Sequence, residues 1–351
     1  MVKRYLAVLF VAAMIVAAGV TAQKTAGDRI TVVPNEAQRR VDISIDGKPF
    51  TSYIYPEDME KPTLYPLRAA TGTLVTRGFP RDPRPGERVD HPHHVGLWFN
   101  YGNVNNLDFW NNSYAIKPED KHKMGTVYHR AIVSAKSGAS EGTLEVDADW
   151  DNSDKKVLLQ EHTKLIFKGG ADFRSIDRIT TLKALADPVV FHDDKEGLLG
   201  MRVRRELEQP STTAATFTDA NGRPTTVMQM DNTGVNGNYL DSEGKSGDAV
   251  WGTRGRWCML SGKVGDEPVS IVIFDNPANP GFPTYWHARG YGLFAANPLG
   301  QKAFDPKAEQ LDFTIPAGQS ATFRYRVVIF SRMATPESIE AAYKNYVSEV
   351  K

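Results

Sequence analysis

The stretch that decides the fold is Arg130–Leu185, RAIVSAKSGASEGTLEVDADWDNSDKKVLLQEHTKLIFKGGADFRSIDRITTLKAL. Arg130 to Lys136 and Thr143 to Trp150 are strand-like runs joined by a Ser-Gly-Ala-Ser-Glu-Gly turn. Val157 to Lys168 is a longer run, ended by Gly169-Gly170. Arg174 to Leu185 follows it, and strand periodicity sets Ile176, Thr180 and Leu182 on one side. Outward from this block the pattern persists. Trp257 to Leu260 and Val269 to Phe274 flank Gly262-Lys263-Val264-Gly265. Leu311 to Ile315 and Ala321 to Phe330 flank Pro316-Ala317-Gly318-Gln319, which carries a hairpin signal. Regular strands separated by Gly and Pro turns specify an all-β protein, a large antiparallel β-sandwich.

One helix is expected at the end, over 336–349. Thr335 can cap it, Pro336 suits its first turn and Glu337 favours its dipole. Ile339, Ala342, Tyr343 and Tyr346 repeat at helical spacing, so it should pack on the sandwich as a strut. Asn221 to Asp248, rich in Gly, Asn, Asp and Ser, reads as a long loop. With no internal repeat and no low-complexity linker, 23–351 is expected to form one domain.

Residues 1–22 read as a secretory signal. Lys3 and Arg4 form a basic start, Leu6 to Val20 is apolar, and Val20-Thr21-Ala22 is a small-residue cleavage site. The expected location is therefore periplasmic or secreted. Without Lys3 and Arg4, the 42 basic residues become 40 against 42 acidic ones. So near-neutral a balance gives no footprint for nucleic acid, and no later segment is long enough to span a bilayer. Cys258 is the only cysteine, so no internal disulfide is expected. It lies in the apolar run Arg256–Leu260 and reads as a buried structural thiol.

Three constellations point at chemistry. The first is Asp90-His91-Pro92-His93-His94-Val95-Gly96-Leu97-Trp98-Phe99, which holds three of the chain's 8 histidines. Imidazole changes charge near neutral pH and is the commonest metal ligand. If this segment is extended, His91 and His93 share one face and His94 takes the other. A divalent metal could use His91 and His93, but would need a third ligand from elsewhere. Nearby, Asn103 to Asn112, with Asp108, Phe109 and Trp110, forms a polar-aromatic loop. The second constellation runs from Phe191 to Arg204. Read as one strand, it sets His192, Asp194, Glu196, Arg202 and Arg204 on one face and Leu199, Met201 and Val203 on the other. Close carboxylates drive their pKa values apart, which supplies an acid and a base at one pH. The third is Pro280 to Gly292, with Tyr285, Trp286, His287, Arg289 and Tyr291. Aromatic faces stack on sugar rings, and Arg reads hydroxyls or carboxylates. There is no glycine-rich phosphate loop, no nucleophile elbow and no His-Glu-x-x-His helix.

Four motifs together resemble the DUF6807 family, also labelled methane oxygenase PmoA-like. They are the Asp90–Phe99 run, Asp108-Phe109-Trp110, Lys195-Glu196-Gly197, and Tyr285 to Tyr291 continuing to Asn297-Pro298. The resemblance covers roughly 40 to 332. Where the family carries a basic residue after the His pair, this chain has Val95. The oxygenase label implies several membrane-spanning helices, which the sequence lacks after residue 22. The resemblance implies an exported bacterial protein of polysaccharide breakdown, similar in outline to the galactose mutarotase sandwiches.

The expected function is that of an exported carbohydrate-active enzyme, a lyase, hydratase or glycoside hydrolase working on a glycoside or oxidised sugar. His93 or His94 would be the acid/base, with Asp90 orienting an imidazole and Glu196 or Asp194 as second group. Trp98, Tyr285 and Trp286 would hold the ring, and His192, Arg202, His287 and Arg289 would bind hydroxyls or a carboxylate. The partner would be a small carbohydrate or oligosaccharide. No cofactor is required by this reading. Its rivals are a non-catalytic carbohydrate-binding protein, a metal-dependent enzyme built on the His cluster, and an exported scaffold.

Overall fold

The computed structural model describes residues 29–350; the segment read as a signal lies outside them. In chain order the strands begin with β1 (Ile30–Asn35), β2 (Arg40–Ile45), β3 (Lys48–Ile54), β4 (Thr63–Leu64) and β5 (Leu97–Phe99). The long strands follow: β6 (Thr126–Lys136), β7 (Gly142–Asp151), β8 (Val157–Gly169) and β9 (Phe173–Ala184). Next come β10 (Val189–Phe191), β11 (Leu199–Arg202), β12 (Ala215–Thr218), β13 (Pro224–Val227) and β14 (Asn238–Asp241). The last are β15 (Trp257–Val264), β16 (Glu267–Asp275), β17 (Tyr285–Arg289), β18 (Leu293–Asn297), β19 (Phe313–Ile315) and β20 (Ser320–Phe330). Helix α1 (Pro336–Glu349) closes the chain.

Two eight-stranded antiparallel sheets form the sandwich. The first runs β1-β2-β3-β4-β5-β11-β18-β17, and the second β14-β15-β16-β20-β9-β8-β7-β6. The four-strand reading of Arg130–Leu185 stands as one meander, β6 to β9, each strand paired with the next. Alternation drives the assembly: Leu144, Val146, Ala148 and Trp150 of β7 face inward, as do Ile176 and Leu182 of β9. From the other side Leu97 and Phe99, Leu199 and Met201, Phe294 and Ala296 meet them in one core. Cys258 lies in that core, and burial pushes its thiol pKa well up, so it is an unreactive apolar filler.

The second sheet is covered again on part of its outer face. Ile339, Tyr343 and Tyr346 of α1 pack on Trp257, Val272, Phe274 and Val328. This explains why β16 is buried on both faces from Val269 to Asp275 instead of alternating. Thr335 caps α1 as expected: its side chain accepts from the Ser338 amide in a capping box.

Two expectations fail here. Pro316–Gln319 does not join a hairpin, because β19 turns aside to pair with β10 while β20 enters the second sheet between β16 and β9. Asn221–Asp248 is also more than a loop. It supplies β13, which pairs with β12, and β14, the edge strand of the second sheet. No helix among the described residues is long and apolar enough to cross a membrane.

Candidate functional site

The outer face of the first sheet is where sequence signals converge. Side chains alternate across a strand, so if Leu97 and Phe99 enter the core, Trp98 points outward. By the same parity Leu199 and Met201 point in, while Gly200 and Arg202 point out. On β17 Trp286 and Ala288 enter the core, leaving Tyr285, His287 and Arg289 outside. This removes Trp286 from any ring-holding role, because it is fully buried between the sheets. Trp98, Trp110, Leu293 and Ala295 make a small apolar cluster on the outer face. Gly200 is required beneath it: a Cβ there would stand 2.6 Å from Trp98 Cζ2 and 2.7 Å from Trp110 Cη2.

The His segment is a turn, not the extended run expected. The His94 amide donates to the His91 carbonyl at 2.9 Å, His91 has φ +41° and Gly96 φ +62°. At Gly96 a Cβ would also collide with the Leu64 carbonyl, so only glycine closes this turn. The turn therefore gathers all three imidazoles instead of splitting them. Tyr291, His91, His94 and Trp98 form a column of near-parallel rings with successive centroids 5.2, 4.9 and 5.0 Å apart. His93 stands edge-on to His94 at 4.3 Å, and Trp110 edge-on to His94 at 5.7 Å.

Two buried arginines hold the turn. Arg202 donates to Asp90 at 2.8 Å and to His94 Nδ1 at 3.2 Å, and its guanidinium lies 4.8 Å from the Tyr291 ring centroid. Arg77, which the sequence did not single out, donates to Asp90, to the His91 carbonyl at 3.0 Å and to the His94 carbonyl at 3.2 Å. Burial raises the Asp90 pKa, but the His91 hydrogen bond and the two guanidinium charges outweigh it, so the carboxyl stays ionised far below its ordinary range. Because a guanidinium only donates, His94 Nδ1 is the acceptor and its Nε2 carries the proton.

Burial and these cations keep His93 and His94 neutral. His93 is pushed down to about 2, chiefly by desolvation and then by Lys61, and His94 lies well below its ordinary value for the same kinds of reason. Neutral imidazole N–H groups in such a surround donate hydrogen bonds and polarise a carbonyl. They are poorly suited to holding a proton near pH 7.

A second group adjoins the column. Glu196 Oε2 lies 3.7 Å from His287 Nδ1, and Glu196 also pairs with Lys195. His287 is pushed down to about 3 by burial and then by the Lys195 and Arg289 charges. Asp194 accepts from the Glu196 amide at 2.8 Å, and burial raises its pKa. Gly102 admits this pair, since a Cβ there would sit 2.8 Å from Glu196 Cβ. Tyr291 links the two groups: burial raises its phenol to about 12, with Arg202, Glu196, Arg289 and Asp90 all acting on it. Arg289 lies 5.6 Å from the Trp251 ring centroid and 5.9 Å from that of Tyr291.

The Phe191–Arg204 segment is not one strand. Between β10 and β11 it bends, so the ionisable face divides. Asp194, Glu196 and Arg202 reach the site, whereas His192 pairs with Asp312 at 3.3 Å and Arg204 with Glu206. Tyr285 faces outward but stacks on Phe304 at 5.3 Å under Arg254, which leaves it little surface for a ligand. Lys61 was another residue the sequence did not announce. It is buried, with Nζ 5.7 Å from the Trp98 ring centroid and 3.3 Å from the Trp110 carbonyl.

Pockets open on both sides of the column. One of about 250 Å³ is lined by Lys61, Pro92, His93, Val95, Asn112 and Tyr114 among others. Another of about 510 Å³ is lined by Arg88, Gln209, Asp248, Trp251, Arg289 and Tyr291 among others. Among the described residues no set of three or more His, Cys, Asp or Glu groups is arranged to hold a metal ion, so His91 and His93 gain no third donor.

The chain is thus an all-β sandwich protein with a buried His/Arg cluster on one outer sheet face. A family model described as a family of unknown function, DUF6807, matches residues 40–344, and the chain belongs to that family. No curated protein matches it. Among solved structures it is similar to a galactose mutarotase-like protein from Clostridium acetobutylicum, at 11% identity over 87% of this chain and 99% of that one, TM-score 0.41. It is similar to a protein from Synechocystis sp. PCC 6803 at 9% identity over 89% and 100%, TM-score 0.35. It is also similar to the GH36 α-galactosidase AgaB from Geobacillus stearothermophilus, at 9% identity over 86% and 41%, TM-score 0.40.

Proposed function

We propose that the protein is an exported carbohydrate-active enzyme that acts on an oxidised sugar or glycoside by elimination, hydration or hydrolysis. One observation carries this reading. Among the described residues, His93 Nε2, His94 Nε2, Trp98 Nε1, Trp110 Nε1 and His287 Nδ1 are all buried without a hydrogen-bond partner. Buried polar atoms are almost always paired, so several orphans around one cluster mark a place built for a polar, hydrogen-bonding ligand. Trp98 and Trp110 are as fully buried as Trp286, so of the Trp and Tyr rings here it is the half-buried Tyr291, lining the larger pocket, that can meet a sugar ring.

In this mechanism the His94 Nε2–H and His93 donate to the oxygen on which charge develops, while Arg77 and Arg202 lock the turn that carries them. Glu196 takes the proton, with His287 beside it. Arg289 and Tyr291 hold the remainder of the sugar. Export rests on the reading of residues 1–22, and with it a place of action in the periplasm or outside the cell. A thermal-shift screen with neutral sugars, uronic acids and keto-sugars tests the ligand class. Stabilisation by carbonyl- or carboxylate-bearing sugars above neutral ones is expected; no shift with any sugar removes the reading.

A further inference from the structure

Lys61 is a cation buried where the fold does not require one. Among the described residues it forms no salt bridge; its Nζ has the Trp110 carbonyl at 3.3 Å and the Trp98 ring at 5.7 Å. The residue lies two positions before β4, and its neighbour Glu60 is engaged by Lys121 at 3.0 Å instead. An ammonium ion left in so apolar a place is disfavoured, and burial brings its pKa down to about 7 against the pull of Asp108 and Glu60. A lysine desolvated in this way is a nucleophile at neutral pH. It also has room to act, because it shares the 250 Å³ pocket with His93, whose Nε2 is buried and without a partner among the described residues.

We propose that Lys61 is an amine nucleophile that captures the aldehyde or ketone carbon of an oxidised sugar in the pocket beside His93. This rests on the carbohydrate reading above and names the substrate as a carbonyl-bearing sugar. The neutral Nζ forms a bond to the carbonyl carbon while His93 Nε2–H donates to the carbonyl oxygen. Nζ then gives up its two protons, the C–O bond breaks, and the oxygen leaves as water, so amine plus carbonyl becomes imine plus water. Taking one proton back on nitrogen, the imine becomes an iminium ion that draws electrons from the adjacent carbon, which makes loss of that carbon's proton and elimination of a neighbouring substituent easier than from the free sugar.

The test uses the whole protein, D-glyceraldehyde as probe and sodium cyanoborohydride at neutral pH. The hydride reduces any imine to a stable secondary amine, which peptide mass mapping locates. Ordinary lysines titrate near 10.5 and are about one part in three thousand free amine at pH 7. Lys61 is therefore expected to gain adduct at least about tenfold faster than any other lysine. Lys61→Met removes that adduct, and His93→Gln keeps the amine but slows its trapping severalfold. Labelling of Lys61 no faster than the surface lysines overturns the proposal, and this comparison within the unmodified protein holds even if a variant fails to fold. Sugars that shift the melting temperature without any trapping would also overturn it while leaving the carbohydrate reading intact. Preferential trapping with no sugar shift would keep the amine and remove that reading.

Discussion

Lowering the pH from about 7 to 5.5 should weaken the fold through its buried histidines. In the unfolded chain a histidine titrates near 6.5 and takes up a proton across this window. His93, at about 2, and His287, at about 3, stay neutral in the folded protein, and His94 is held low as well. A group whose folded pKa is depressed contributes stability that is full above its unfolded pKa and is lost as pH falls below it. Linkage gives about 1.3 kcal/mol for each such histidine over this window, or about 4 kcal/mol for three. Lys61, at about 7, adds about 0.4 kcal/mol of loss. Asp275 opposes them: burial raises it to about 7, so the folded state gains a proton that the unfolded carboxyl does not, worth about 1.7 kcal/mol. His129, lowered to about 4 chiefly by burial, adds about 1.2 kcal/mol of loss. The net expectation is a loss of about 4 kcal/mol, a sizeable share of a typical domain's stability. The window lies above the range in which Asp90 would contribute. Urea unfolding followed by circular dichroism at several pH values measures the slope directly. His287→Gln should remove about 1.3 kcal/mol of the change. Stability that is flat or rises toward pH 5.5, or a His287→Gln slope equal to that of the parent, would refute buried neutral imidazoles.

Arg202→Met should cost about 3 kcal/mol, the low end for breaking a buried ion pair, because Asp90 keeps Arg77 while His94 Nδ1 loses its donor; urea midpoints give the value. Gly200→Ala should cost about 2 kcal/mol and alter the near-ultraviolet circular dichroism, since the new methyl presses on both Trp98 and Trp110. Thr335→Ala should lose about 1 kcal/mol by thermal unfolding, the usual worth of an N-cap, without affecting sugar-induced shifts.

The sheets were legible because period-two alternation is a local property and the turns between β6, β7, β8 and β9 are short. α1 was legible to its ends because Thr335 and Pro336 mark its start chemically. What failed was decided by partners distant in sequence. The turn at Pro316–Gln319 is real, yet the strand before it pairs with Val189–Phe191. The alternation assumed across Asp90–Gly96 broke at His91 and Gly96, where left-handed backbone gathers rings that an extended chain would split. Trp286 shows how one step of strand parity moves a side chain from site to core. Arg77 and Lys61 carried no signal, because each lies in an irregular segment or at its edge and gains meaning only beside the His turn. The Arg202–Asp90 pair spans 112 residues, and nothing local encodes such a contact.

Turnover tests the proposed acid–base chemistry at His93 and Glu196. Glycosides of keto-sugars and uronic acids would be incubated with the parent, His93→Ala and Glu196→Ala, products followed by mass spectrometry, and folding checked by the thermal transition. The parent should give a defined product and neither variant any, while both variants still unfold cooperatively near the parent temperature. Product formation retained in both variants would contradict that chemistry.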